Sequence, residues 1–410
     1  MRVVMCHEFF YLRGGAERYL FGLMELLASY GHEVIPFSMH SSENLSTPYE
    51  NYFVNNMDFP SLMKSRSLNS AIQATGRSLY STEAKKKFLK LLQETKPDLV
   101  HVFGFAHYLS ISILDAAKTA GVPVIQSLLD YKWLCPNTTF LLNGKPCEKC
   151  KNHQFYNVVL HRCKRNSLRA SLLAGLQAYV VTLTQAAGKV TLFLCHSRYL
   201  LTKMIEYGYP PEKFRYIPHF LLDVDSYPDA DNSEPYAVYF GRLSYEKGLT
   251  TLLRAAEIAK VTVKIIGCGP EEKDLRLYAR EHALSNVHFL GERWGQEMQD
   301  IVSKARYALC PSEWYENSPL AVYEAMAMGR PVIGANIGGI PELIQDHITG
   351  LVFHPGDPED LAAKMLYLME NPDIARQWGS EARRIAKEKF APYKHYKDIL
   401  SVYEDAVRLV

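Results

Sequence analysis

The chain has 410 residues, 48% of them hydrophobic and 22% charged, which excludes a disordered chain and leaves room for two domains with separate cores. Formal net charge is only +2, but residues 1–220 hold 25 Lys and Arg against 15 Asp and Glu, and the rest hold 21 against 29. The balances are therefore +10 and −8, which fits either two ordinary solvated surfaces or a first half that meets an anionic membrane or acceptor.

Met1-Arg2 runs directly into an apolar strand pattern, so no signal peptide is expected. Val3 to Phe10 reads as a strand, Tyr11 to Gly15 as a glycine turn, and Ala16 to Tyr30 as a helix ended by Gly31. A strand restarts at Val34 to Phe37, giving the strand, Gly-loop, helix, strand opening of a doubly wound sheet. Residues 41–80 are polar and carry no clear period. Helices are predicted over Glu83–Glu94 and His107–Ala120, and strands over Leu99–Phe103 and Val122–Leu128. Asn157 to Ala187 reads as mostly helical. Its uncharged run, Ala170 to Gly188, is diluted by Gln177 and Gln185, which suits a buried or interfacial helix better than a membrane span. A strand at Val190–Cys195 and a helix at Arg198–Tyr207 close the first half.

Pro210, Pro211, Pro218, Pro228 and Pro235, with scattered Asp, mark a linker. Beyond it strands are predicted at Ala237–Phe240, Thr262–Ile266, Val287–Leu290, Tyr307–Cys310 and Pro331–Gly334, each followed by a helix. The domain reading is 1–217, with a Cys-rich insert at 135–163, then a linker at 218–234 and a second domain at 235–390. A last helix, 391–410, is expected to return to the first domain. The fold class is α/β: two Rossmann-like doubly wound domains whose strand ends face a central cleft.

Four stretches carry chemistry. Gly241-Arg242 ends a strand and Lys247 follows five positions on, a cation pair suited to a diphosphate. Glu316 and Glu324 stand eight positions apart, one before and one inside a helix read as starting near Ser318. The amides at such a helix start suit an anion. Gly267-x-Gly269, Glu292-Arg293, Trp294 and Gly338-Gly339 read as weaker ligand or turn positions. Asp223-Val224-Asp225 fits a metal-binding Asp-x-Asp string but lies in the linker, where solvated carboxylates are expected. Cys135, Cys147, Cys150 and Cys163 have the spacing of a structural Zn²⁺ site, against loose thiols or a redox pair.

Taken together, Gly241-Arg242 with Lys247, the Glu316-x7-Glu324 spacing, Glu324 to Val332 and Gly338-Gly339-x-Pro341-Glu342 resemble the retaining glycosyltransferases of family 4, which have the GT-B fold. Gly14-Gly15-Ala16-Glu17 resembles that family's first loop, and the Cys-rich insert a bacterial polysaccharide-biosynthesis type of member. The resemblance implies a hexosyltransferase that moves sugar from a UDP- or GDP-sugar to a carbohydrate or lipid-linked saccharide. Arg242 and Lys247 would grip the diphosphate without a metal, so no cofactor is required for catalysis. Glu316 would sit beside the donor sugar, and Glu324 would take the ribose hydroxyls. Asn317, Ser318 and Leu320 would offer backbone amides. Gly14, Gly15, Gly241, Gly267 and Arg293 would complete the donor site. His107 is the acceptor-side catalytic candidate, because His101-Val102-Phe103 lacks the second His of the family's pattern. A GT-B sugar-nucleotide epimerase and a non-catalytic membrane-docked binding protein are the alternatives. The expected location is cytoplasmic, with peripheral contact to the inner membrane face through Lys85–Lys90 and Arg162–Arg169. No nucleic acid partner is expected beyond the donor's nucleotide.

Overall fold

In a computed structural model the described residues are 1–56, 75–105, 108–228 and 233–410. The first sheet holds β1 (Arg2–Cys6), β2 (Glu33–Phe37), β3 (Leu99–Val102) and β4 (Val124–Leu128), in the order β2-β1-β3-β4. A two-stranded antiparallel hairpin, β5 (Leu141–Leu142) with β6 (Lys145–Pro146), interrupts the chain before β7 (Leu192–Cys195) and β8 (Phe214–Tyr216) complete that sheet. The second sheet runs β11-β10-β9-β12-β13-β14. Its strands are β9 (Ala237–Phe240), β10 (Val263–Ile266), β11 (Val287–Gly291), β12 (Tyr307–Cys310), β13 (Val332–Ala335) and β14 (Gly350–Phe353).

Every pairing within the two large sheets is parallel. Parallel strands covered by helices on both faces must be apolar throughout, and β3, β4, β7, β9, β12 and β13 are buried at every position. That is why the sequence shows short continuous apolar runs here and little alternation.

Several elements differ from the expectation. β1 stops at Cys6, so His7 to Phe10 form part of the loop at its C-terminal end. The helix expected from His107 covers Ser112–Ala120, and His107 lies outside the described residues. β8 and β14 were not anticipated. Three or four residues after a short loop are too few to show a period. Leu221 and Val224, in the stretch read as linker, are buried in the second core. Asp223 and Asp225 are exposed, and Asp225 pairs with Lys387 at 2.9 Å.

The last helix, Pro392–Arg408, packs Ile399, Val402, Tyr403 and Ala406 into the core formed by Val3, Met5, Leu99 and Leu192. Histidines fasten it. His101 Nδ1 meets the Tyr403 hydroxyl at 2.7 Å, and His395 Nε2 meets the Tyr19 hydroxyl at 3.2 Å. His395 Nδ1 also donates to the Pro218 carbonyl at 3.1 Å. His101 is therefore a buried strand residue.

In each sheet the chain changes winding direction once, between β1 and β3 and between β9 and β12. Loops leaving the C-terminal ends of those strand pairs diverge and leave a crevice. Gly14-Gly15 follows β1, Gly241 to Lys247 follow β9, and Pro311 to Glu316 follow β12.

Candidate functional site

Glu316 is 5% exposed and lies in the loop after β12. Its Oε1 accepts from Lys247 Nζ at 2.6 Å and from Ser312 Oγ at 2.7 Å. Burial works against its charge, but Lys247 and Ser312 outweigh burial and hold the carboxyl below the ordinary range. Burial likewise works against the Lys247 ammonium, and Glu316 pushes it above its usual value. The two are one ion pair between the β9 and β12 loops, with Lys247 5.5 Å from the centre of the Trp314 ring.

The helix after Glu316 is Leu320–Ala327, so Asn317 and Ser318 precede it. Pro319 occupies the N-cap and has no side-chain acceptor to offer. The amides of Ser318, Leu320 and Ala321 have no intramolecular acceptor among the described residues. Gly15 opens the helix Gly15–Ser29, and a Cβ on it would meet Leu320 Cδ1 at an ordinary 3.5 Å. Two helix N-termini, one from each half, thus converge on the same place, and both favour an anion.

Glu324, 3% exposed, faces across the cleft and pairs with Arg18 of helix Gly15–Ser29. Glu324 raises the Arg18 pKa despite burial, which acts the other way. Arg18 is a site residue that sequence reasoning missed. Its signal was positional: it stands one helical turn after the glycine pair. Asn317 was expected to contribute its backbone amide, which likewise has no acceptor among the described residues, and its side chain is committed across the cleft. Nδ2 donates to the Leu128 carbonyl at 2.9 Å, and Oδ1 accepts from Ser197 Oγ at 2.8 Å. Glu342 forms a further bridge, accepting from the amides of Arg198 at 2.7 Å and Tyr199 at 2.5 Å at the start of helix Arg198–Glu206.

The glycines act mainly on backbone. Gly267, at φ 136°, would place a Cβ 1.9 Å from the Gly241 carbonyl oxygen, so these two loops pack main chain to main chain. Gly338, at φ 60°, would place a Cβ 2.4 Å from the Glu316 carbonyl oxygen. The Gly338-Gly339 turn, read as a close approach to a ligand, instead buttresses the Glu316 loop, and the Gly339 amide donates to the Glu316 carbonyl at 2.7 Å.

Gly241 and Arg242 are exposed in the loop after β9 that also carries Lys247. Arg293 is half-buried and tied to Glu297 at 2.7 Å, and Trp294, 65% exposed, caps the following helix. On the first-domain side His7 Nε2 meets Glu17 Oε1 at 3.0 Å, a contact the sequence reading did not single out.

Cys135 and Cys150 are buried and Cys147 and Cys163 half-buried. Burial, then its neighbours Cys135, Cys163 and Cys147, pushes the Cys150 thiol up to about 12, and burial with Cys135 and Cys147 pushes Cys163 to about 11. The four thiols are neighbours, yet among the described residues no three His, Cys, Asp or Glu side chains are set to hold a metal ion. The insert leans on the site. The Phe140 and Tyr315 rings are 5.9 Å apart, and a Cβ on Gly144 would meet the Tyr245 ring at 2.2 Å.

Residues 227–385 match the family model for glycosyl transferases group 1. An uncharacterised 42.6 kDa protein from the cps region of Klebsiella pneumoniae is 26% identical over 84% of this chain and 87% of its own. The O-antigen chain mannosyltransferase C of Escherichia coli is 31% identical over 38% of this chain and 42% of its own. The chain spans less than half the length of several curated relatives it matches, that mannosyltransferase among them. Anabaena Alr3699/HepE, solved with UDP and glucose, superposes with a TM-score of 0.70 at 19% identity, covering 99% of this chain and 100% of the other. Residues 227–385 are a glycosyl transferases group 1 domain, in a chain of GT-B fold.

Proposed function

We propose that the protein is a retaining glycosyltransferase that moves a sugar from a UDP- or GDP-sugar onto a carbohydrate or lipid-linked saccharide. The observation that carries this reading is the Lys247–Glu316 pair set beside two converging helix N-termini at the switch point of the second sheet. The group 1 domain and the UDP-bound solved neighbour support it.

The donor diphosphate lies against the free amides of Ser318, Leu320 and Ala321 and the start of helix Gly15–Ser29. Arg242 and Lys247 neutralise the charge that grows as it leaves. Glu316 takes the hydroxyls of the donor sugar, and Glu324 those of the ribose. The acceptor hydroxyl attacks from the face the diphosphate leaves and gives its proton to the departing phosphate oxygen, so the anomeric configuration is kept. Held as a pair with Glu316 before donor binds, Lys247 is already ordered, which lowers the cost of positioning it.

A structural Zn²⁺ on Cys135, Cys147, Cys150 and Cys163 is part of the proposal. It rests on ligand spacing, and because among the described residues no three such side chains are set to hold a metal ion, binding would have to draw the thiols together. Four thiolates leave no open position, so the ion would fix the insert against Tyr315 and Tyr245 and take no part in transfer.

Thermal melting against a panel of UDP- and GDP-sugars tests the reading, since a donor that binds only the folded chain raises its melting temperature. No shift with any of them would contradict it.

A further inference from the structure

The segment 149–205 carries nine Lys and Arg and no Asp or Glu. Within it, helix Leu168–Leu183 buries one face through Leu173, Ala174 and Gln177. The other face is apolar too. Leu168, Leu172, Leu176 and Leu183 are 54%, 50%, 41% and 80% exposed. At about 100° per residue they fall within an arc of about 80°. This is a leucine stripe on the solvent side of a helix whose inner side is already satisfied.

The short helix Tyr156–Leu160 crosses the same helix. A Cβ on Gly175 would come 3.1 Å from Val158 Cγ1, so the two helices are closely packed there. The short helix adds Tyr156 and Leu160, 51% and 69% exposed. Arg162, Arg165 and Arg169 are exposed between and beside the two helices. Exposed leucines and a tyrosine grouped in this way, in a segment whose only charged residues are Lys and Arg, mark a contact surface.

The basic charge decides the occupant. Two copies of this patch related by a two-fold axis would bring their arginines together. An anionic bilayer accepts both features at once, the leucines at the acyl boundary and the arginines among the headgroups. The other basic cluster lacks this character. Lys87 is answered by Glu83 at 3.3 Å and Lys90 by Glu94 at 3.8 Å on their own helix. Among the described residues no helix is long and apolar enough to cross a membrane, so the contact lies in the interface plane.

We propose that the outer faces of helices Tyr156–Leu160 and Leu168–Leu183, with Arg162, Arg165 and Arg169, dock the protein on an anionic lipid bilayer. The face begins in the second half of the insert whose Phe140 and Gly144 touch Tyr315 and Tyr245, in the loops that carry Glu316 and Lys247. A bilayer-anchored acceptor would therefore meet the cleft from the docked side. That last consequence rests on the transferase reading, whereas the docking itself does not.

Cosedimentation of the full chain with phosphatidylglycerol-containing vesicles and with pure phosphatidylcholine vesicles tests it. The wild type pellets with the anionic vesicles, at least about tenfold more tightly than with the neutral ones, and high salt releases it. A Leu172→Asp, Leu176→Asp variant and, separately, an Arg162→Gln, Arg165→Gln, Arg169→Gln variant each lose about tenfold or more in vesicle binding. Both keep the wild-type circular dichroism and nucleotide-sugar melting shift, since the changed side chains are exposed. Three results would overturn the proposal: a wild type that stays in the supernatant at low salt, a stripe variant that pellets as well as the wild type, or a stripe that proves to be a self-association face, with Leu172→Asp converting a dimer to a monomer and vesicles ignored.

Discussion

Lys247 Nζ lies 2.6 Å from Glu316 Oε1, joining the loop after β9 to the loop after β12. Each holds the other charged: the pair lowers the carboxyl and raises the ammonium relative to their ordinary values. Both therefore stay ionised across neutral pH. Lys247→Ala removes the leaving-group cation and should lower kcat by about two to three orders of magnitude. Lys247→Arg should recover little, because a planar fork does not replace a compact ammonium. Steady-state kinetics with a fixed donor checks this.

Arg18 and Glu324 couple the two halves directly across the cleft. Removing Arg18 leaves a buried carboxylate facing the cleft without that partner. Arg18→Ala should open the two halves, read as a larger radius of gyration by small-angle scattering. An unchanged radius would show that the Asn317 and Glu342 bridges suffice alone.

Gly338 should tolerate no side chain. At φ 60° a Cβ would be strained and would also press on the Glu316 carbonyl. Gly338→Ala should cost about 1–3 kcal/mol and reduce turnover beyond that loss. Gly31, at φ 80° with nothing within 4 Å of a Cβ, is the control. Gly31→Ala should cost only about 1 kcal/mol and leave turnover unchanged. Denaturant melts and activity on the same preparations separate the two.

A buried histidine cluster makes stability fall in mild acid. His196 and His219 stack at 4.2 Å, and Tyr19 touches both of these and His395. Burial lowers His196 to about 4 and, with His196 nearby, His395 to about 3. His101 and His219 are also lowered by burial. Tyr403 and Tyr323 face the cluster from the two neighbouring helices. These groups take protons in the unfolded chain before they do in the folded one. Stability is therefore full above about 6.5 and declines as pH falls toward 4, with roughly 3 kcal/mol from His196 alone. Urea midpoints from pH 7.5 down to about 4.5 should fall steadily, and His196→Gln should flatten that slope.

Metal analysis settles the role of the cysteine quartet. Purified protein should carry about one Zn²⁺ per chain, and Cys150→Ser should lose it. Metal-free wild type with unaltered stability would leave the insert held by its packing alone.

Much of this was readable from the sequence. Two runs of short apolar strands separated by helices gave two doubly wound sheets, because parallel strands are buried on both faces. The positions of Arg242, Lys247, Glu316 and Glu324 were readable as loop and helix residues. Their pairing was not. Lys247 with Glu316 spans 69 residues and Arg18 with Glu324 spans 306, and no local period records such contacts. Gly338 was read toward a ligand because a glycine's need for space does not name the neighbour, here the Glu316 backbone. The leucine stripe was hidden for the same reason: an apolar helix does not show from sequence which side is covered.

The most direct test is product analysis with the donor that melts highest and a lipid-linked saccharide acceptor. The account predicts release of the nucleoside diphosphate together with a glycosylated acceptor that keeps the donor's anomeric configuration, both lost by about two orders of magnitude or more in Lys247→Ala and Glu316→Gln. Wild-type turnover in both variants, or a product of inverted configuration, would contradict it.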